Sequence, residues 1–157
     1  RLDKFLTWDT VAQLRQDWPG QLFIKGIADP DTAARAADAG ADGIVLSNHG
    51  GRQLDHGQST VALIPEIRQA LGPSTALCVD SGFRRGSDII KALALGADFV
   101  LMGRPFAWAV AAGGQAAVAH LIALLETELR ITLNLMGLSS VDDLRRAGTD
   151  VLRPQSR

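Results

Sequence analysis

The densest cluster of reactive side chains is Ser47-Asn48-His49-Gly50-Gly51-Arg52-Gln53-Leu54-Asp55. The His49 imidazole carries a basic nitrogen, which suits abstraction of a proton. Arg52 offers a planar fork that fits a carboxylate. The glycines between them let the backbone turn sharply and approach a ligand closely. Together these residue types describe a site that holds an acid and takes a proton from it. The bland alternative is a turn with a solvated arginine and a histidine satisfied by backbone. Clustering behind an apolar run favours the functional reading.

A second cluster is Asp80-Ser81-Gly82-Phe83-Arg84-Arg85-Gly86-Ser87-Asp88, a glycine-rich loop that leads into a helix and carries two arginines. Free backbone N–H groups at a helix start, with a guanidinium nearby, make an anion site. Gly103-Arg104-Pro105 repeats the theme after the next apolar run. If the two runs are adjacent strands, both loops converge on one phosphate. Lys25 ends another apolar run, followed by Gly26. It either snorkels at a rim or faces a ligand anion.

The elements that position these residues are clearly punctuated. Thr7 caps a helix to about Asp17, and Pro19-Gly20 breaks it. Leu22 to Lys25 reads as a buried strand. Asp29-Pro30 starts a helix that ends at Gly40. Ile44 to Ser47 is the second strand. Ser59 or Thr60 opens a helix closed by Gly72-Pro73. Leu77 to Asp80 is the third strand, and Ser87 to Leu95 the helix after it. Phe99 to Met102 is the fourth strand. Helical segments then run to about Leu135, and Ser140, with Asp143 three residues later, opens a short last helix.

An internal repeat supports this register. Gly40-Ala41-Asp42-Gly43-Ile44-Val45-Leu46 resembles Gly96-Ala97-Asp98-Phe99-Val100-Leu101, and Leu22 to Lys25 aligns with Leu77 to Asp80. Short apolar strands alternating with helices mean a parallel sheet with right-handed crossovers. An open doubly wound sheet and a (β/α)8 barrel both fit. Lys25, Ser47 to His49, Asp80 and Gly103-Arg104 all fall at strand C-terminal ends, where barrel enzymes build their sites. The expectation is therefore an α/β fold: the C-terminal half of one TIM (β/α)8 barrel over 1–157, with 136–157 as a short helix and tail. Four strands leave sheet edges unpaired, and a closed barrel takes about 250 residues, so a longer polypeptide is expected.

Composition narrows the classes. The chain has 157 residues, 16 Lys+Arg against 17 Asp+Glu and a formal net charge of −1. That balance argues against a nucleic-acid binder held by phosphate contacts. One cysteine excludes a disulfide within the chain, and Cys78, mid-strand, reads as inert core. Arg1 to Lys4 begin no apolar export signal. Pro105 to Leu125 is long enough to span a bilayer, with His120 its sole ionisable residue. Its Gly113-Gly114 pair and its alanines favour two buried helices broken at the glycines, with His120 partly buried. His49, Asp55 and His56 lack metal-ligand spacing, so no metal is expected. Asp142, Asp143, Arg145 and Arg146 read as a solvated helix face.

From about Thr7 to Leu135 the chain resembles the FMN-dependent 2-hydroxy-acid dehydrogenase and oxidase family, which includes glycolate oxidase and flavin-linked lactate and mandelate dehydrogenases. The Ser47 to Asp55 block carries the resemblance most specifically. Asp80 to Ala97 looks closest to mandelate dehydrogenase, and Trp8 to Ile27 equally like a bacterial lactate dehydrogenase. The resemblance implies oxidation of an (S)-2-hydroxy acid to the 2-oxo acid, with FMN as cofactor. His49 would be the base and, with Arg52, would bind substrate, Arg52 taking the carboxylate. Lys25 would lie beside the flavin N1/O2 edge, where positive charge stabilises the anionic reduced ring. Ser47 would touch the flavin or its ribityl neighbourhood, and Asp80 the ribityl hydroxyls. Ser81, Gly82, Phe83, Arg84, Gly103 and Arg104 would hold the FMN and its phosphate. Ser81 stands where many relatives have glycine, and Phe83 where they have a smaller aliphatic.

The family also uses two tyrosines and an aspartate from the first half of the barrel. This chain has no tyrosine. The resemblance thus implies a partner, the N-terminal half of the barrel, and an isolated chain that is catalytically incomplete. It further implies a homo-oligomer, oxygen, a quinone or another electron acceptor, and a cytoplasmic location, peripheral on the inner membrane face in some relatives. Two alternatives stand beside it: a different FMN barrel, such as an isomerase or synthase, and a non-catalytic half-barrel that binds a phosphorylated ligand.

Overall fold

Side-chain caps open three of the six α-helices among the described residues. In the computed structural model, which describes residues 6–152, the Thr7 hydroxyl accepts the Thr10 N–H at 3.4 Å and opens α1, Trp8–Asp17. Asp29 accepts the Thr32 N–H at 2.8 Å, with Pro30 at the first helical position of α2, Pro30–Asp38. Gly40 follows with φ +86°, the left-handed stop its position predicts. Ser59 precedes α3, Thr60–Leu71, without a side-chain cap. Helix α4 covers Gly86–Ala94, α5 Arg104–Leu135 and α6 Val141–Ala147, the last capped by Ser140 on the Asp143 N–H at 3.0 Å. A turn of 3-10 helix, Gly148–Val151, follows α6. The end of the expected tail, 153–157, and the first residues, 1–5, lie outside the described residues.

Strands β1 (Phe23–Ile27), β2 (Gly43–Leu46), β3 (Ala76–Val79) and β4 (Phe99–Val100) form one parallel sheet in the order β1-β2-β3-β4. Each neighbour pair is joined through a helix, as the alternating pattern requires. Strand β1 runs two residues beyond the predicted end at Lys25. The reason is a bulge: Lys25 pairs with Val45 and Ile27 with Leu46, so Gly26 is the extra residue, at φ +93°. Strand β4 is shorter than predicted, two residues rather than four.

The main core lies between sheet and helices, with Ile44, Leu46, Leu77 and Val79 fully buried against Ile64, Ile67 and Ala33. β2 is buried throughout, whereas the outer strands expose Phe23 and Phe99. A second cluster joins α4 and α6 to α5 through Ile90, Leu93, Leu133 and Leu144. Cys78 is buried, and burial, with Asp98 nearby, pushes its thiol up, which makes it the inert residue expected.

The Gly-Ala-Asp repeat has a physical basis. Asp42 accepts the Leu22 N–H at 2.8 Å and pairs with Arg15 of α1 at 2.9 Å, while Arg15 also donates to the Gly40 carbonyl. One repeat later Asp98 accepts the Leu77 N–H at 2.8 Å and pairs with Arg68 of α3 at 2.6 Å, while Arg68 donates to the Gly96 carbonyl. The same latch ties each helix to the starts of two strands.

One expectation is corrected. α5 does break at Gly113 and Gly114, the latter at φ +56°. Its two parts are not buried, though: Leu125 and Leu133 alone are, and His120 is exposed. Leu121, Leu125, Leu129 and Leu133, four apart, share one helix face, of which Leu129 and Leu133 join the second core cluster. By length and composition alone α5 is long and apolar enough to cross a membrane. Within this fold only 6% of its most apolar stretch is buried, and Trp108, Val110, Ile122, Leu124, Ile131 and Leu135 are exposed.

Candidate active site

All four strands point their C-terminal ends at one open cavity of about 620 Å³. Lys25, His49, Gly50, Arg52, Asp80, Ser81, Gly82, Phe83, Arg84, Gly103 and Arg104 line it. Every predicted site residue except Ser47 is therefore on its wall. Ser47 is buried one layer below. Four cationic side chains meet a single carboxylate there, although the chain as a whole is nearly neutral. Such a surface focuses anions.

The floor of the site is a polar network across three strands. The Lys25 ammonium donates to Ser47 Oγ at 2.7 Å and to Asp80 Oδ2 at 2.7 Å. The bulge at Gly26 re-aims the strand end that carries Lys25. Ser47 Oγ in turn accepts the His49 N–H at 3.1 Å. Burial alone would raise the Asp80 carboxyl, but hydrogen bonds from Lys25, Ser47 and Ser81 and the Lys25 charge hold it below its usual 3.8. A depressed carboxyl adds stability above its ordinary range, and that contribution disappears as pH falls through the folded value. Asp80→Asn is thus expected to lower the thermal midpoint at neutral pH. Midpoints of variant and wild type, scanned against pH, are expected to converge below about pH 4.

Above this floor sits the His49 turn. A short 3-10 turn, His49–Gly51, follows β2, with His49 at φ +56° and Gly50 at φ +66°. Asn48 accepts the Gly50 N–H at 2.9 Å and donates to the Gln58 carbonyl at 3.2 Å, pinning the turn to the loop beyond. The Arg104 guanidinium donates to the Gly50 carbonyl. The imidazole passes over Gly26, where an added Cβ would stand 3.1 Å from His49 Cε1. Arg52 is exposed on the cavity wall, and its side chain takes no hydrogen-bond partner among the described residues. Asp55 and His56 are exposed, and no metal-binding cluster exists among the described residues.

The phosphate reading of the second loop needs one correction. The start of α4 is not free: Asp88 accepts the Arg84 and Arg85 N–H groups at 3.1 Å, and Glu128 of α5 accepts that of Gly86 at 2.7 Å. Arg85 turns away to Glu128 at 2.7 Å, while Arg84 stays on the cavity, stacked 5.9 Å from the Trp108 ring. Among the described residues the Gly82 and Phe83 N–H groups take no acceptor. The anion cradle is therefore the turn before the helix. The Phe83 ring is core, so that residue can offer an anion its N–H alone. Across the cavity the start of α5 has no side-chain cap, and Gly103, Arg104, Pro105 and Ala107 line the wall. The two loops do converge on one place.

Two contributors escaped sequence reading. Thr60, buried, donates to the Asp80 carbonyl at 2.6 Å and fixes the start of the second loop. Asn48 holds the His49 turn. An asparagine before a His-Gly-Gly run is a turn signal that would have found the second; nothing local marks the first.

Comparison with known proteins matches this arrangement. The model of the FMN-dependent dehydrogenase family matches residues 1–151. The chain is 46% identical over 142 residues to the L-lactate dehydrogenase of Serratia proteamaculans, covering 90% of this chain and 37% of that protein. It is 48% identical over 144 residues to the L-lactate oxidase of Nostoc sp., covering 92% and 40%. A crystal structure of mandelate oxidase with benzoyl-formic acid superposes with a TM-score of 0.86 at 45% identity, covering 90% of this chain and 42% of that one. A further mandelate oxidase structure carries a monooxide FMN adduct. The chain spans about two-fifths the length of the curated relatives it matches. The four-stranded parallel sheet is the half-barrel its sequence predicts.

Proposed function

Because the chain belongs to the FMN-dependent dehydrogenase family, we propose that it supplies the C-terminal half of a site that oxidises a 2-hydroxy acid to the 2-oxo acid. The observation that carries this reading is the meeting of His49 and Arg52 with two anion-binding turns on one cavity. The relatives are lactate and mandelate oxidoreductases, which favours this reading over a non-catalytic half-barrel or an unrelated FMN enzyme.

The residues present fit FMN. Unpartnered N–H groups at Gly82 and Phe83, the uncapped start of α5, and the Arg84 and Arg104 guanidinium groups form a cradle for its phosphate. Asp80 faces the cavity with a carboxylate kept ionised, an acceptor for ribityl hydroxyls. Lys25 puts positive charge on the same wall, where it favours a reduced ring that carries negative charge. FMN, when bound, takes the two electrons that leave the substrate. Arg52 holds the substrate carboxylate by charge-assisted hydrogen bonds and so fixes which carbon faces the ring. His49 takes a proton from the substrate. The substrate loses two electrons and two protons overall, one proton to His49 and the other to the cofactor with the electron pair, and leaves as the 2-oxo acid.

The test uses the FMN-loaded protein with the N-terminal half of the barrel present, mixed anaerobically with lactate and with mandelate and followed by flavin absorbance. Bleaching by either acid is expected. A bound flavin that neither acid bleaches, alongside bleaching by dithionite, would refute the reading.

A further inference from the structure

Ser81 is a serine in a glycine's conformation. Its φ is +78°, a region that disfavours every residue with a Cβ by about 1–2 kcal/mol. A glycine would relieve that strain, so packing of the backbone gives no reason for a side chain here. Its hydroxyl gives one. Ser81 Oγ donates to Asp80 Oδ1 at 2.7 Å and accepts, at 3.1 Å, the Gly50 N–H that it shares with Asn48 Oδ1 at 2.9 Å. A carboxylate can accept alone and an N–H can donate alone, whereas a hydroxyl does both. Donating to an ionised group also polarises the hydroxyl and makes its oxygen the better acceptor. The end of β3 is thereby wired to the turn after β2. On that turn the neighbour of Gly50 is His49, itself a non-glycine residue in the left-handed region. Two strained residues in the turns after adjacent strands are tied through one peptide N–H. On the β3 side the anchor is firm, because Lys25 holds Asp80 and Thr60 holds its carbonyl.

We infer that Ser81 is a positioning residue for His49: alongside Asn48, which fixes the turn locally, its hydroxyl carries the fixed placement of Asp80 to the Gly50 peptide and ties to β3 the left-handed turn that presents the imidazole to the cavity. The effect on catalysis rests on the reading of His49 as the base. The effect on the turn does not.

Ser81→Gly removes the hydroxyl and the strain together, while Ser81→Ala removes the hydroxyl and keeps the strain. A residue that merely supports the fold would make the glycine variant equal to or better than wild type in every respect. The expectation here is that the two variants part in stability and agree in function. The glycine variant should melt at or above the wild-type temperature and the alanine variant at or below it. In both, the FMN-loaded protein should be reduced by its 2-hydroxy acid about tenfold more slowly, as for loss of one such hydrogen bond. FMN affinity should stay within about twofold, since Gly82 and Phe83 keep their N–H groups. Without cofactor, hydrogen exchange at the Gly50 amide, left with Asn48 Oδ1 as its acceptor, should quicken several-fold while the Val79 amide is unchanged. Wild-type reduction rates or unchanged Gly50 exchange in Ser81→Gly would overturn the inference. So would a slower reduction that follows from lost FMN. If wild type itself is not reduced, the functional reading fails, and Gly50 exchange still decides the role of Ser81.

Discussion

Replacing His49 with glutamine is expected to slow flavin reduction by a 2-hydroxy acid by about 10²–10⁴, with FMN still bound. Glutamine matches imidazole in reach and hydrogen bonding but has no basic nitrogen. The backbone contact that places the residue, its N–H on Ser47 Oγ, is kept. None of the cradle groups, Gly82, Phe83, Arg84 and Arg104, is touched, so cofactor affinity should hold. Rapid mixing under anaerobic conditions gives the rate, and fluorescence titration gives FMN affinity. An unchanged rate would show that the proton goes elsewhere.

The second large effect is expected at Gly26. Alanine there adds a methyl 3.1 Å from His49 Cε1, tighter than ordinary van der Waals contact, at φ +93°. The conformational penalty alone is about 1–2 kcal/mol, which lowers the melting temperature by about 2–8 °C. The imidazole must also move, because the bulge fixes the Gly26 backbone between Lys25 and Ile27. Gly26→Ala should therefore lose flavin reduction as well as stability. A variant that melts early but reduces flavin at the wild-type rate would show that His49 tolerates displacement.

Gly26 also marks where sequence reading stops. A glycine after a lysine could end a strand or bulge it, and local sequence does not choose. The choice is made by pairing with β2, where Val45 and Leu46 face three residues of β1. Caps such as Thr7, Asp29 and Ser140 were legible because donor and acceptor lie within three residues. The Gly-Ala-Asp repeat was legible as a pattern, but its cause lies in partners such as Arg15 and Arg68, 27 and 30 residues from the aspartates they hold. The start of α4 was misread for the same reason: Glu128, 42 residues away, takes the Gly86 N–H. α5 was misjudged as buried because alanine-rich composition does not say how wide the packed face is. The candidate site cluster was more readable than the helices around it. Its reactive residues sit at successive strand ends, and a parallel sheet must bring those ends together.

The most direct test of a single shared site is the crystal structure of the FMN-loaded protein with a 2-oxo acid product. The phosphate is predicted between the Gly82-Phe83 turn and Gly103-Arg104, the product carboxylate on Arg52, and the His49 imidazole within hydrogen-bond reach of the product's 2-oxygen. A flavin seated outside this cavity, or a product whose carboxylate does not meet Arg52, would contradict it.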